Sequence, residues 1–131
     1  RALHILIADD NATNRLIAAT LVEMFGCTSD AVEDGEAAVE AAASGRYDLV
    51  LMDIRMPVMD GLEATRAIRG LSGPVGTMPI LALTANADPW DAAQYMNPGM
   101  DGVIEKPIKA ELLAAAIEGA MAGRRRRAQA A

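Results

Sequence analysis

The sequence predicts a single α/β domain built on a mainly parallel sheet of five strands, with helices on both faces. Five short apolar runs alternate with amphipathic stretches, which is the pattern of parallel strands joined by helical crossovers. Because such crossovers are right-handed, the helices cover both faces of the sheet. The length of 131 residues is typical of one domain, and 52% hydrophobic with 23% charged residues is typical of a globular chain.

The amino-terminal part of the chain predicts a buried strand, a helix and an edge strand. The strand at residues 3–8 is rich in β-formers and ends at a pair of aspartates. Asn11 or Thr13 can cap the helix that follows. Residues 27–32 form a shorter and more polar strand, which favours the edge of the sheet. The residues of the helix that recur at helical spacing are Leu16, Ile17, Thr20, Leu21 and Met24.

The middle of the chain repeats this rhythm. An Asp-Gly turn leads into an alanine-rich helix at residues 36–43. The second strongly apolar strand, at residues 47–52, ends on Asp53. A turn then leads to a helix at residues 62–69, and the three glycines and one proline of residues 70–78 predict a loop.

The carboxyl-terminal part supplies the last two strands. Residues 79–83 form a strand that ends on Thr84, and a short helix is predicted at residues 88–97. Residues 102–105 form a short strand that ends on Lys106. A final amphipathic helix is defined by Leu112, Leu113, Ala116, Ile117 and Ala120.

Charge and composition divide the chain and exclude several classes of function. Four arginines at positions 124–127 contribute +4 to the net charge of −6, which leaves −10 for the rest. We therefore expect a domain at residues 1–122 and a basic, disordered tail or linker at residues 123–131. An acidic body with only four aromatic residues argues against direct binding of nucleic acid. No apolar run is long enough to insert into a membrane, and the single Cys27 excludes an internal disulfide.

The residues with the most informative chemistry follow the predicted strands. In open parallel sheets, ligands bind outside the carboxyl ends of the strands. The residues at those ends are Asp9, Asp10, Asp53, Thr84 and Lys106. Three carboxylates, one hydroxyl and one ammonium are therefore predicted to meet at one edge of the sheet.

The predicted cluster has an excess of negative charge. Two like charges about 4 Å apart repel by about 4 kcal/mol at an effective dielectric constant of 20, and Lys106 supplies only one positive charge. Mg²⁺ supplies two and prefers carboxylate oxygens together with waters and phosphate. With Mg²⁺ offsetting the charge, the Asp53 carboxylate can attack phosphorus and form an acyl phosphate. Lys106 and Thr84 can then bind the other phosphoryl oxygens.

Four segments in this order resemble the receiver domain of two-component response regulators, including the receivers that are fused to hybrid histidine kinases. The similarity covers about residues 3–121. Each segment is moderately specific, and their combination at strand-end spacing is highly specific. The segments are Ala8-Asp9-Asp10-Asn11, residues 48–61, residues 80–85 and Lys106-Pro107-Ile108.

The resemblance implies a flavodoxin-like, doubly wound fold with strand order 2-1-3-4-5. It also implies that Asp53 accepts a phosphoryl group from a histidine kinase or a histidine phosphotransfer protein. In such domains the lysine–proline bond that matches Lys106–Pro107 is cis. The implied Mg²⁺ ligands are Asp9, Asp10, Asp53 and the backbone carbonyl of Arg55.

The resemblance further implies how the phosphoryl group is read. Thr84 resembles the switch hydroxyl that moves toward the phosphoryl group, and Lys106 resembles its cationic partner. The expected output is a change in partner interactions, through a self-dimer or an output domain, rather than turnover of an external substrate. The expected location is the cytoplasm, either as a stand-alone regulator or as part of a larger, membrane-anchored kinase.

One position departs from the family pattern and keeps alternatives open. Receivers commonly carry an aromatic residue three positions before the lysine, where this chain has Val103. A receiver-like interaction module that phosphorylation does not control is therefore the main alternative. An aspartate-dependent phosphatase would need a second acid where this chain has Arg55, and a flavin carrier would not have acidic residues after the first strand.

Overall fold

Five parallel strands form one sheet in the order β2-β1-β3-β4-β5, as the sequence and its resemblance predict. The computed structural model describes residues 2–85, 93–94 and 98–130, the last six of them by backbone alone. The strands are β1 (His4–Ala8), β2 (Thr28–Val32), β3 (Leu49–Asp53), β4 (Ile80–Thr84) and β5 (Gly102–Glu105). β2 is largely exposed and pairs only with β1, which confirms the predicted polar edge strand.

Helices connect the strands and are capped by the side chains that precede them. The helices are α1 (Ala12–Met24), α2 (Gly35–Ala43), α3 (Gly61–Arg69) and α4 (Ala110–Ala130), with a short 3₁₀ helix (Gly73–Thr77) in the predicted loop. The carboxyl or amide oxygens of Asn11, Asp34 and Asp60 accept backbone N–H groups in the first turns of α1, α2 and α3. The helix predicted at residues 88–97 lies outside the described residues, apart from residues 93 and 94.

The core has two layers because alternate residues of the central strands point to opposite faces of the sheet. Val50 and Met52 pack on one face with residues of α2 and α3. Leu49 and Leu51 pack on the other face with residues of α1 and α4. All residues of β3 and β4 are buried. The predicted coverage of both faces by helices is therefore confirmed.

Helix α1 packs on the sheet through a different face from the one that the sequence predicts. Ala18 and Val22 are fully buried, whereas Leu16 and Met24 are each 68% exposed and Ile17 is 41% exposed. Two stripes with helical spacing are present in this segment, and the one with the smaller side chains faces the sheet. Small residues allow the helix to approach the strands closely, so Leu16, Ile17 and Met24 remain exposed, whereas Leu21 of the predicted stripe is partly buried against this core.

Helix α4 extends beyond the point where the sequence predicts the end of the domain. A disordered tail was expected from residue 123, but the helix continues to Ala130. Alanine and arginine are strong helix formers, which explains the continuation past Gly123. The guanidinium of Arg124 donates to the backbone carbonyl of Asp48 at 3.1 Å and ties this part of the helix to the sheet. Among the described residues, no helix combines the length and apolarity that a bilayer span requires.

Candidate functional site

The sheet brings the predicted polar residues to one edge. Asp9 follows β1, Asp53 ends β3, Thr84 ends β4 and Lys106 follows β5. Backbone hydrogen bonds extend the strand pairing into this region: Asp9 N–H donates to the Val32 carbonyl at 3.1 Å, and Lys106 N–H donates to the Thr84 carbonyl at 2.8 Å. The positions of these residues are therefore set by the sheet itself.

Three aspartates form an acidic cluster at this edge. One carboxylate oxygen from each of Asp9, Asp10 and Asp53 lies within 4.8 Å of the other two. Asp9 is 1% exposed and Asp53 is 6% exposed, whereas Asp10 is exposed to solvent. The cluster is thus buried on one side and accessible from the side of Asp10.

Lys106 is the cation that faces the two buried carboxylates. Its Nζ lies 3.1 Å from Asp9 Oδ2 and 3.1 Å from Asp53 Oδ2. Burial opposes the charge of this ammonium, but hydrogen bonding and attraction from the two carboxylates outweigh burial and raise the pKa of Lys106. Lys106 therefore remains protonated and partly offsets the acidic cluster.

Asp53 has a perturbed acidity. Burial raises the pKa of its carboxyl, and the nearby charge of Asp9 raises it further, while Lys106 and the backbone N–H of Arg55 act in the opposite direction. The Arg55 N–H donates to Asp53 Oδ1 at 3.2 Å. The local excess of negative charge makes the ionised form of Asp53 costly unless a further cation is present.

The donor set fits a divalent metal ion of the Mg²⁺ type. Asp9 Oδ2 is a buried oxygen without a well-aligned hydrogen bond, and the group it contacts is the Lys106 ammonium at 3.1 Å, which also faces Asp53. A buried oxygen that shares one ammonium with a second carboxylate can accept a further cation or a water. Three clustered carboxylates and one ammonium leave net negative charge, and carboxylate oxygens are the ligands that Mg²⁺ prefers. The part of the prediction that concerns the Arg55 carbonyl remains a prediction.

The loop after Asp53 approaches the site closely through Gly61. A Cβ atom at position 61 would lie 2.2 Å from the Asp53 carbonyl oxygen, so only glycine fits there without displacement of the backbone. The Gly61 N–H donates to the Ile54 carbonyl at 2.9 Å. This contact folds the loop back and holds the start of α3 against the end of β3.

Val58, at the tip of the same loop, has an unusual backbone conformation. Its φ is +69°, in the left-handed region that β-branched residues rarely adopt, and its side chain is 76% exposed. The next residue holds it in place: Met59 N–H donates to the Pro57 carbonyl at 2.7 Å, and the Met59 carbonyl accepts from Gly35 N–H at 3.0 Å. The loop is therefore clamped to the start of α2 and carries local strain.

The structure places Thr84 and Val103 on the neighbouring strands. Asp53 is paired with Leu83 in the sheet, so Thr84 lies one residue beyond this pair and at the same edge. Thr84 is 7% exposed. Val103 is partly buried and packs against the core layer beneath α2 and α3. The Lys106–Pro107 peptide bond is cis, as the resemblance implies.

Arg15 is a residue at this edge that the sequence reasoning missed. Its Nη1 donates to the backbone carbonyl of Asp9 at 2.8 Å, and its side chain is 19% exposed. A signal was available in the sequence, because Arg15 is close to the amino end of α1, where a positive charge is unfavourable for the helix. An arginine at such a position indicates a role outside the helix.

Comparison with known proteins relates the chain to one family. The family model described as response regulator receiver domain matches residues 5–118. The chain is 44% identical over 116 residues to the sensor protein GacS of Pseudomonas syringae pv. syringae, covering 87% of this chain and 13% of that protein. It is 38% identical over 117 residues to the aerobic respiration control sensor protein ArcB of Escherichia coli K12, covering 89% of this chain and 15% of that protein.

Solved structures show the same similarity. The receiver domain of the sensor histidine kinase PA1611 from Pseudomonas aeruginosa PAO1, which has a magnesium ion in its active site cleft, matches with a TM-score of 0.84 and 35% identity. That match covers 93% of this chain and 99% of the other. The chemotaxis protein CheY4 of Vibrio cholerae matches with a TM-score of 0.83 and 27% identity, covering 92% and 99% of the two chains.

Proposed function

The chain belongs to the response regulator receiver domain family, and from that premise we propose that Asp53 accepts a phosphoryl group and so controls interactions with partner proteins. It is homologous to receivers of hybrid histidine kinases and spans only 13–15% of the length of the curated relatives described above. We propose a histidine kinase or histidine phosphotransfer protein as the phosphodonor. The observation that carries the proposal is the buried Asp53 carboxylate, which faces Lys106 and lies close to the carboxylates of Asp9 and Asp10.

The proposed reaction is a transfer from a phosphohistidine to the carboxylate of Asp53. A carboxylate oxygen attacks phosphorus, a P–O bond forms and the P–N bond breaks. The bonding pair returns to the imidazole nitrogen, which takes up a proton, and an acyl phosphate remains on Asp53. We propose that residues 1–122 carry out this reaction without turning over external phosphate esters.

The other residues at the edge have roles that follow from their charge. Asp9, Asp10, Asp53 and the Arg55 carbonyl are the proposed ligands of Mg²⁺, which offsets negative charge on the transferring phosphoryl group when it is bound. Mg²⁺ occupies the active site cleft of the similar PA1611 receiver. The ammonium of Lys106 is placed to form a charge-assisted hydrogen bond with a phosphoryl oxygen.

Thr84 is the proposed reader of the phosphoryl group. Its hydroxyl belongs to a buried residue at the same edge, and a hydrogen bond to a phosphoryl oxygen would draw Thr84, at the end of β4, toward Asp53. Because Val103 has no ring that can change position, we propose that this movement of Thr84 and the loop after β3 carries the output. The output partner is either a second copy of the domain or an output domain.

Exposed apolar side chains around the site support a protein as phosphodonor. Leu16 and Ile17 lie in the helix that begins after the acidic pair, Val58 follows Asp53, and Leu112 lies in the first turn of α4. Each of these residues is more than 40% exposed. A set of exposed apolar residues next to a polar site is typical of a protein-binding surface. We propose that the phosphodonor packs on α1, and that the chain acts in the cytoplasm within a larger sensor kinase.

The proposal is tested by phosphorylation with a small donor. We expect acetyl phosphate with Mg²⁺ to add one phosphoryl group to the protein, detected by intact-mass spectrometry, and none to Asp53→Asn. Asp60→Asn is a matched control in the same loop, because asparagine also caps a helix and α3 stays intact. A folded protein that gains no adduct, or an adduct that persists in Asp53→Asn, would contradict the proposal. The absence of any adduct would favour an interaction module that phosphorylation does not control.

A further inference from the structure

We propose that Arg15 is a positioning residue for the acidic pair. By holding the backbone carbonyl of Asp9, its guanidinium fixes the peptide plane that leads to Asp10 and so sets the affinity of the site for a divalent cation. The inference rests on the proposed function, because it concerns the same Mg²⁺ site. On this inference α1 has two roles: its exposed apolar face binds the phosphodonor, and its Arg15 orients the metal ligands.

The contacts of Arg15 run in two directions. Nη1 donates to the Asp9 carbonyl at 2.8 Å, and Nη2 lies 3.2 Å from Glu33 Oε1, in the turn between β2 and α2. The Arg15 side chain is 19% exposed and that of Glu33 is 74% exposed. An exposed ion pair contributes little free energy. The hydrogen bond from Arg15 to the buried Asp9 carbonyl therefore contributes more to holding these groups together than the pair with Glu33.

The hydrogen bond from Arg15 completes a set of contacts that hold Asp9 in place. Its N–H donates to the Val32 carbonyl at 3.1 Å, and its Oδ1 accepts from Asn11 N–H at 2.9 Å. Lys106 lies 3.1 Å from Oδ2. The bond from Arg15 therefore fixes the remaining polar atom of Asp9, so that every polar atom of this residue has a fixed neighbour.

The Asp9 carbonyl and the Asp10 N–H belong to one planar peptide unit. A rotation of this plane would move the Cα atom of Asp10 and the direction of its side chain. The carboxylate of Asp10 is exposed, and the described residues give it no hydrogen bond or ion pair. The backbone is thus the part of the structure that directs Asp10 toward the other two carboxylates, and Arg15 holds that backbone.

The position of Arg15 in α1 supports a role at the site. Arg15 is the fourth residue of α1, and the first turn of this helix contains no acidic residue that could pair with it. Positive charge near the amino end of a helix opposes the helix dipole, so the guanidinium does not stabilise α1 by its charge. Its hydrogen bond instead reaches back past the helix start to the end of β1.

The test is the Mg²⁺ affinity of the full 131-residue chain, measured by isothermal titration calorimetry at neutral pH and constant ionic strength. Loss of a residue that orients metal ligands typically weakens metal binding by 10–100-fold, so we expect Arg15→Gln to raise the Kd for Mg²⁺ about 10-fold. We also expect the backbone amide resonance of Asp10 to shift in the metal-free variant, because that amide shares the plane that Arg15 holds. Thermal unfolding in EDTA verifies that each variant is folded at the titration temperature.

Three variants separate geometry from charge. Arg46→Gln removes the same charge at a residue that lies over Tyr47, and we expect its Kd to stay within about twofold of the wild type. Glu33→Gln keeps the carbonyl contact and has a similarly small expected effect. Arg15→Lys keeps the charge but lacks the planar fork, and we expect only partial recovery of affinity.

The outcomes are distinct from those for the proposed function. If the wild type binds Mg²⁺ and Arg15→Gln binds it equally well, the inference is wrong and the proposed function stands. A lower Kd for Arg15→Gln than for the wild type would also overturn the inference, because loss of the positive charge alone favours binding of a cation. If the folded wild type binds no Mg²⁺, the proposed function itself fails.

Discussion

The acidity of Asp53 is set by its burial and by the negative charge around it that Lys106 only partly offsets. Burial and the neighbouring Asp9 favour the protonated form, which is a poor nucleophile, whereas Lys106 favours the ionised form that can attack phosphorus. One ammonium facing two buried carboxylates leaves negative charge that a divalent cation would remove. If Asp53 is the phosphoacceptor that we propose, binding of a divalent cation would therefore favour its ionised, nucleophilic form.

Substitutions at Val58 test whether the loop after Asp53 stores backbone strain. Glycine adopts a φ of +69° without steric cost, whereas valine at this angle costs about 1–3 kcal/mol. Glycine also loses more backbone entropy on folding, which offsets about 0.5–1 kcal/mol of the gain. We expect Val58→Gly to raise the free energy of unfolding by about 1 kcal/mol in urea denaturation. Val58→Ala is the control, since it removes the exposed side chain but keeps the Cβ atom. Equal stabilities of the two variants would contradict the strain.

A substitution at Tyr47 tests the hydrogen bond that the Tyr47 side chain makes to Asp30 in the edge strand β2. The Tyr47 hydroxyl donates to Asp30 Oδ2 at 2.7 Å and is the main cause that lowers the pKa of this carboxyl, with His4 also contributing. We expect Tyr47→Phe to raise the pKa of Asp30, measured by NMR titration of its carboxyl carbon. Arg46→Gln, which keeps the hydroxyl, should shift the pKa less, because Arg46 is the weakest of the causes that lower it.

The same hydrogen bond has a consequence for the pH dependence of stability. The folded-state pKa of Asp30 is below the unfolded value, so the ionised carboxyl contributes stability above the unfolded pKa. This contribution is lost as the pH falls through the folded-state pKa. We therefore expect the stability gap between wild type and Tyr47→Phe to narrow on acidification, and a gap that is constant from neutral to acidic pH would refute the assignment.

At the scale of elements, strand ends were predictable and helix faces were less so. Apolar runs that stop at Asp53 and Thr84 identify strand ends directly, because β3 and β4 are buried along their whole length and a polar residue is tolerated only where such a strand ends. In α1 two stripes have the same spacing, and only packing against the sheet selects Ala18 and Val22 over Leu16. Helix propensity and apolar spacing predict that the segment is helical, but which face packs on the sheet is decided only by the tertiary structure.

The exposed face of α1 leads to a prediction about the phosphodonor. If a protein donor packs on this face, Leu16→Ser should slow phosphotransfer from a phosphohistidine protein about tenfold, the effect of losing about 1.4 kcal/mol at an interface. Phosphorylation by acetyl phosphate should stay unchanged, because it needs no docking. Met24→Ser is the matched control, since both residues are 68% exposed and Met24 lies at the far end of α1. Equal rates for Leu16→Ser and wild type would exclude this face as the docking surface.

At the scale of the whole molecule, the fold converts dispersed sequence positions into one site. The identity of the acidic cluster was predictable, because parallel topology places every carboxyl end at the same edge, whereas the order of the strands was implied by the family resemblance. The contact of Arg15 with the Asp9 carbonyl and the close approach of Gly61 were not, because they depend on backbone distances that spacing does not encode. The length of α4 was underestimated because a basic run was interpreted as a tail.

Cation binding at the acidic cluster should stabilise the whole domain. A ligand that binds only the folded state adds about 2.7 kcal/mol to the free energy of unfolding at a concentration of 100 times its Kd. We expect Mg²⁺ at that ratio to produce this increase in urea denaturation, relative to protein in EDTA at matched ionic strength. The effect should be smaller in Asp9→Asn, because that variant removes a buried carboxylate of the cluster. An equal stabilisation by NaCl, or an undiminished one in Asp9→Asn, would mean that Mg²⁺ acts by general screening and not at this site.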